Sequence, residues 1–426
     1  MGAAELRVQD TVLRLPVIEG TEGDRAVDIS RLREETGLVT LDDGYANTGS
    51  CQSAITFIDG EQGILRYRGI PVEQLASQGS FLETALLLLQ GELPSKGELQ
   101  RFSDRVTEYS LLHEGMRHHF EGFPPTAHPM AILSSMISAL SCYRPELLRK
   151  DDDEEDLQYT VAMLMSKVRT IAAFSYKKSI GEPIAYPDPK RDYSESFLNM
   201  MFSRPHVEFD PSPETIRALQ MFLILHADHE QNCSTSTARM VGSSGANMFA
   251  SVAAAVLALW GRLHGGANAA VVTMLEELHE GGQTPASVIE QAKRKEVKLS
   301  GFGHRIYRAF DPRVKVFKRA CDELLDSVGR ADPLVDIARE IERLALADDY
   351  FVERQLYPNV DFYSGILLRA LGIPRNMFTV MFAIGRLPGW IAHWTEGWRQ
   401  EGRIHRPRQV YVGPAKRDYV PLLERT

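Results

Sequence analysis

Cysteine is sparse and unpaired in pattern: Cys51, Cys142, Cys233 and Cys321 are far apart and form no Cys-x-x-Cys pair. Neither a zinc ribbon nor a disulfide framework is indicated, and a reducing, intracellular setting fits. Long apolar runs are missing too. The longest, MFASVAAAVLALWG at 248–261, falls short of the roughly 18 to 20 residues that a membrane span needs and reads as a buried helix. Surplus positive charge is absent: 48 Lys and Arg stand against 57 Asp and Glu, for a formal charge of -9. That balance argues against a nucleic-acid partner, because phosphate backbones attract excess Lys and Arg. The start, MGAAELRVQD, lacks the basic and apolar regions of a signal peptide and the myristoylation pattern, so a cytoplasmic location is expected. The SSGAN and HGGAN loops match neither glycine-rich nucleotide fingerprint. No internal repeat or low-complexity stretch appears.

The 426 residues, 44% hydrophobic and 25% charged, have the composition of an ordinary globular chain with room for two or more packed domains. Between residues 11 and 60, short β-favouring pieces (TVLRLPVI, LVTL, SAITFI) alternate with turn signals such as DDG and IDG. From Val72 onward the periodicity is helical, as in HPMAILSSMISAL, DLQYTVAMLMSKVRTIAAFSY and PETIRALQMFLILHADH. The acidic run at 151–156 suits the positive end of a helix. Shorter amphipathic helices fill 271–375. The chain is therefore expected to be mainly α, with two helical domains: a strand-rich unit at 1–60, a large helical domain at 61–270 completed by 376–426, and a small helical domain at 271–375. A cleft between the two helical domains is the expected site.

Three polar islands stand out: LHGGAN around His264, GFGHRIYR around His304 and YPNVDFYSG around Asp361. Two histidines and a carboxylate make up a set able to remove a proton from carbon. Each residue also has an ordinary reading: a satisfied core histidine, a loop histidine beside solvated Arg305 and Arg308, and a helix N-cap for Asp361 ahead of DFYSGILLRAL. HADHEQN places His226 and His229 one turn apart on a helix face, but matches no H-E-x-x-H or H-x-x-E-H template; His113, His118 and His119 miss those templates as well. No metal is expected. Arg313, Arg386 and Arg406 stand beside Pro or in turns. Guanidinium forks suit carboxylates, and three of them near the His and Asp set suggest a di- or tricarboxylate pocket.

Read in order, FIDGEQGILRYRGIPVEQLA, SIGEPIAYP, LHADHEQNCSTSTARMVGSSGAN, LWGRLHGGAN, GFGHRIYRAFDPR, LYPNVDFYSG and HRPRQVYVG resemble citrate synthase across essentially the whole chain, in its long bacterial, type II form. The resemblance implies condensation of acetyl-CoA with oxaloacetate and hydrolysis to citrate and CoA. It implies Asp361 as base, His264 as donor to the thioester oxygen and His304 as donor to the oxaloacetate ketone. His229, Arg313, Arg386 and Arg406 match oxaloacetate-binding positions, with Arg406 reaching across a dimer interface. Arg308 and the 298–304 loop (Lys298, Leu299, Gly301, Phe302, Gly303) match the CoA region. No metal or cofactor is implied, acetyl-CoA being a substrate, and a homo-oligomer is expected, with a dimer as the minimum active unit and a hexamer above it. The alternative is 2-methylcitrate synthase acting on propionyl-CoA, because one methylene is worth only about 1 to 3 kcal/mol of discrimination. Met163 replaces a basic residue associated with NADH inhibition in the long form; Lys167 remains and the MFSRPH stretch carries His206, so no NADH inhibition is expected.

Overall fold

The structure, a computed structural model, describes residues 2–145, 154–329, 332–400 and 402–425. It is mainly helical with two small antiparallel sheets. The chain divides into two compact units, Met1–Gln52 with His405–Thr426, and Ser53–Ile404.

In the first unit, strands Ala3–Val8, Thr11–Glu19 and Arg25–Val27 pair antiparallel, with Leu6 opposite Leu13. The alternation in TVLRLPVI sends Leu13 and Leu15 to one face, where they meet Leu32 in a small core of their own. The strand at Ala3–Val8 carries no comparable signal in the sequence. LVTL at 38–41 is irregular chain, not the strand expected from its composition. It follows Gly37, which caps the helix Leu32–Thr36 in the left-handed region, and no strand among the described residues pairs with it to hold it extended.

The second unit opens with the hairpin Thr56–Asp59 and Ile64–Tyr67, extended by Ile70–Pro71, and is helical thereafter. Two long helices form its centre. Glu154–Ser179 buries Val161, Leu164, Val168 and Ile171, and Phe378–Arg399 is buried along almost its whole length. Helices that are apolar on all sides have to lie inside, packed by neighbours. Asp151–Asp153 of the acidic run lie outside the described residues. Boundaries elsewhere follow local chemistry: Ser80 and Ser95 close capping boxes with Glu83 and Glu98, and Pro occupies the first turn of Pro129–Tyr143, Pro213–His226, Pro285–Lys293, Pro312–Val328 and Pro333–Leu346.

One helix ends earlier than its pattern suggests. Pro213–His226 stops at His226, so His229 lies in the turn that follows and the two histidines do not share a helix face. Asp228 breaks the helix by finding better partners. Its backbone oxygen accepts from the Tyr67 hydroxyl at 2.9 Å and its carboxylate accepts from Thr56 Oγ1 at 2.6 Å and from His393 Nε2 at 3.2 Å. The Gly389 amide donates to Ala227 O at 3.1 Å, fixing the turn against the helix Phe378–Arg399. No described helix is long and apolar enough to cross a membrane.

Candidate active site

His264 sits in the turn between the helices Met248–Trp260 and Ala267–Glu280. The glycine after it serves packing: a Cβ on Gly265 would collide with the Leu259 carbonyl and the Thr379 methyl. His264 Nε2 receives the Ser234 backbone N–H at 3.2 Å and lies 2.9 Å from Ser234 Oγ. A backbone amide only donates, so Nε2 is the acceptor and the ring proton resides on Nδ1. Trp390 Nε1 donates to Ser234 Oγ at 3.0 Å, and Ser234 Oγ donates to Asn232 Oδ1 at 2.8 Å.

His304 has the opposite arrangement. Its Nδ1 receives the backbone amides of Ile306 at 3.0 Å and Tyr307 at 3.2 Å, which leaves the proton on Nε2. Burial lowers both rings to a pKa of about 4, and Arg386 acts on His264 and Arg313 on His304 in the same direction. Each ring is thus a neutral donor at neutral pH, with its donor nitrogen set by the backbone. The loop that carries His304 lies against the 56–67 hairpin, where the amides of Arg308 and Ala309 donate to Gly60 O at 2.8 and 3.2 Å. A side chain on Gly60 would run into the Ile306 carbonyl, so only glycine permits this approach.

Asp361 is not the N-cap. Asn359 caps the helix Val360–Ala370, its Oδ1 accepting the Asp361 amide at 3.0 Å, and its Nδ2 donates to Gly303 O at 2.8 Å. Asn outcompetes Asp because the cap also has to donate to the neighbouring loop, which a carboxylate does not do. Asp361 therefore lies in the first turn with no hydrogen bond to its carboxylate among the described residues. Burial raises its pKa to about 6, against the pull of Arg313 and Arg386.

His229 is buried, with its ring centroid 5.4 Å from that of His304 and 5.7 Å from that of Tyr307. Its Nε2 has no partner among the described residues, and burial together with Arg313 pushes its pKa well below the ordinary value. Arg386 is 1% exposed; Nε donates to His226 O at 2.6 Å while Nη1 has no partner among the described residues. Burial lowers its pKa to about 10. Its field reaches His264, His229 and Asp361. Arg313 is equally buried and forks onto Asp311, Nε to Oδ1 at 2.9 Å and Nη2 to Oδ2 at 2.8 Å. Burial works against its charge, but Asp311 outweighs this and holds it above the usual range. Asp311 Oδ2 also accepts the Val360 amide at 3.0 Å, tying the arginine to the helix that carries Asp361.

The candidate CoA loop connects to the same helix: Gly303 N donates to Tyr357 O and Asn359 N to Gly301 O, both at 2.8 Å, and Phe302 forms a bridge to Pro358. Gly301 and Gly303 have φ of 80° and 76°. Leu299 is buried, Phe302 is half-buried, and Lys298 and Arg308 are exposed. Arg406 is exposed in irregular chain of the other compact unit.

His264, His304, Asp361, His229, Arg313 and Arg386 thus form one electrostatic cluster. Sequence reasoning missed the groups that hold it: Ser234, Trp390, Asp311, Tyr307, Asn359, Asp228 and His393. Of these, Asp311, in FDPR, carried a local signal as an Asp before the Pro of a helix start, and Asn359, in YPNVD, carried one as a turn residue ahead of a helix. No group of three or more His, Cys, Asp or Glu placed to hold a metal occurs among the described residues.

Residues 44–408 match the family model described as citrate synthase, C-terminal domain. The chain belongs to the citrate synthase family. It is 48% identical over 423 residues to citrate synthase 1 of Mycobacterium tuberculosis, covering 98% of each chain. Among solved structures, it resembles citrate synthase from Pyrobaculum aerophilum, with a TM-score of 0.81, 36% identity and 99% of each chain covered. It also resembles citrate synthase from the archaeon Thermoplasma acidophilum, solved as a ternary complex with carboxymethyl coenzyme A and oxaloacetate, with a TM-score of 0.82, 31% identity, and 91% of this chain and 100% of that chain covered.

Proposed function

We propose that the chain condenses acetyl-CoA with oxaloacetate and releases citrate and CoA. The observation that supports this best is the pair of neutral histidines with opposite protonated nitrogens, which share Arg386 and Arg313 as electrostatic neighbours with a carboxylate of raised pKa. A carboxylate near its ordinary pKa of about 3.9 is too weak to deprotonate a thioester methyl group unless the forming enolate oxygen is stabilised at the same moment. Asp361, raised to about 6, takes the methyl proton while His264 Nδ1–H donates to the thioester oxygen. His304 Nε2–H donates to the oxaloacetate ketone, so the new carbon–carbon bond forms as charge moves onto an oxygen already facing a donor. Water then hydrolyses the citryl thioester.

The unpartnered Nη1 of Arg386 and Nε2 of His229 suit the needs of a dicarboxylate, with Arg313 beside them. We assign Arg308, Lys298, Leu299, Gly301, Phe302 and Gly303 to CoA, and assign the 271–375 helices to a small domain that closes on the rest. A second copy of the chain supplies Arg406, making the dimer the minimum active unit and a hexamer the larger assembly, in the cytoplasm. No cofactor is needed. Met163 is fully buried and Lys167 Nζ is held by the Tyr109 and Leu111 carbonyls at 3.0 and 2.5 Å, which supports a lack of NADH response.

The test is CoA thiol release from acetyl-CoA and from propionyl-CoA, with and without oxaloacetate. Oxaloacetate-dependent release favouring acetyl-CoA is expected; a propionyl preference would move the reading to 2-methylcitrate synthase, and no release from either would overturn both. Mixing Arg406→Ala with Asp361→Ala chains should restore part of the activity if the site is shared.

A further inference from the structure

Away from the reaction centre, a cavity of about 180 Å³ lies among the helices Phe81–Gln90, Lys96–Glu108, Glu154–Ser179 and Phe378–Arg399. None of its lining residues belongs to the candidate site. Its floor is apolar and buried: Leu86, Phe102, Leu157 and Val161. One polar group lines the cavity a helical turn from Arg399, on the same face of Phe378–Arg399. Thr395 is 3% exposed, and its hydroxyl makes no hydrogen bond among the described residues. A buried hydroxyl without a partner is costly, and it gains from any acceptor that enters the cavity.

The open end is cationic. Arg101, Arg105 and Arg399 line it against one acid, Glu98, whose carboxylate is engaged by Ser95 at 2.6 Å from Oγ and 2.8 Å from the backbone amide. The ion pair of Arg105 with Glu155 is long, at 4.0 Å. An apolar floor under a cationic rim selects a ligand with an apolar body and an anionic head. The volume exceeds the roughly 150 Å³ of an engineered cavity that binds benzene. A six-membered ring or short acyl chain therefore fits.

We propose that this cavity binds a small amphipathic anion, a carboxylate or phosphate monoester on an apolar body of about six carbons. The anionic head meets Arg101, Arg105 and Arg399, and the body fills the space over Leu157 and Val161. The Thr395 hydroxyl distinguishes the site from a plain apolar hole.

The experiment is calorimetric titration of the full chain with hexanoate, hexyl phosphate, hexanol and inorganic phosphate. Saturable binding of hexyl phosphate or hexanoate is expected, at least tenfold tighter than hexanol and inorganic phosphate. Arg105→Gln should weaken that binding about tenfold, and Leu157→Phe, which fills the floor without removing charge, should weaken it comparably. Equal binding of hexanol would reduce the site to an apolar hole, and equal binding of inorganic phosphate to a surface charge patch; either overturns the proposal. So does unchanged hexyl phosphate binding in both variants with native circular dichroism, which would place the anion elsewhere, or the absence of binding by either amphipathic probe.

Discussion

The backbone amide of Ser234 donates to Nε2 of His264 across 3.2 Å, and this contact decides which nitrogen of the ring can donate to a substrate. The Ser234 hydroxyl spends its single proton on Asn232 Oδ1 and accepts from Trp390, which is fully buried, so these two contacts fix the residue whose amide reaches the ring. Trp390→Phe removes that indole donor and should lower kcat roughly ten- to a hundredfold, the scale of a small misplacement at a reacting centre. KM for oxaloacetate should stay within about twofold. Nitrogen NMR of His264 should show mixed tautomers in the variant; an unchanged spectrum and unchanged kcat would remove Trp390 from the positioning chain.

Asp361→Asn should lower turnover by at least about a thousandfold while circular dichroism stays native, because an amide has no basic lone pair to take the methyl proton. Loss of less than tenfold would assign the base elsewhere.

The pH dependence has a definite sign. Asp361 acts only when ionised, and burial raises its pKa to about 6, so kcat/KM should fall about tenfold per pH unit below about 6. The histidines, lowered to about 4, stay neutral from pH 6 to 8 and add no limb there. Arg386 holds Asp361 down, so Arg386→Met should move the acid limb to higher pH, besides raising KM for oxaloacetate. A limb that moves to lower pH contradicts this assignment.

Asp311→Ala strips a buried arginine of its forked partner and frees the Val360 amide. Removing one member of a buried pair costs about 3 to 5 kcal/mol. Urea unfolding should show a loss of that size, and a change under about 1 kcal/mol would mean that Arg313 finds another partner or water.

Gly60→Val places a side chain against the Ile306 carbonyl and displaces the loop that orients His304. We expect kcat/KM for oxaloacetate to fall at least tenfold, although residue 60 bears no chemistry itself.

Much of the fold was legible because helices write their pattern locally. HPMAILSSMISAL and DLQYTVAMLMSKVRTIAAFSY became Pro129–Tyr143 and Glu154–Ser179 as their periodicity required. Failures came where a distant group overrode the local preference. The helix through HADH ended because Tyr67, Thr56 and His393 claim Asp228 from 161, 172 and 165 residues away. Asp361 lost the cap to Asn359 because Gly303, 56 residues earlier, needs a donor. LVTL pairs with no strand among the described residues, and strand formation depends on a partner.

The sequence by itself determined the helical class, the glycine-flanked islands and the residue types available for proton transfer, since periodicity and side-chain chemistry are properties of short segments. The tertiary structure alone decided the protonation states. His264 and His304 have the same chemistry in the chain, yet one keeps its proton on Nδ1 and the other on Nε2, because different backbone amides reach them. Asp361 becomes a stronger base than other aspartates only through burial by residues far away in sequence. Such shifts depend on which groups enclose an ionisable atom, and folding alone sets that enclosure.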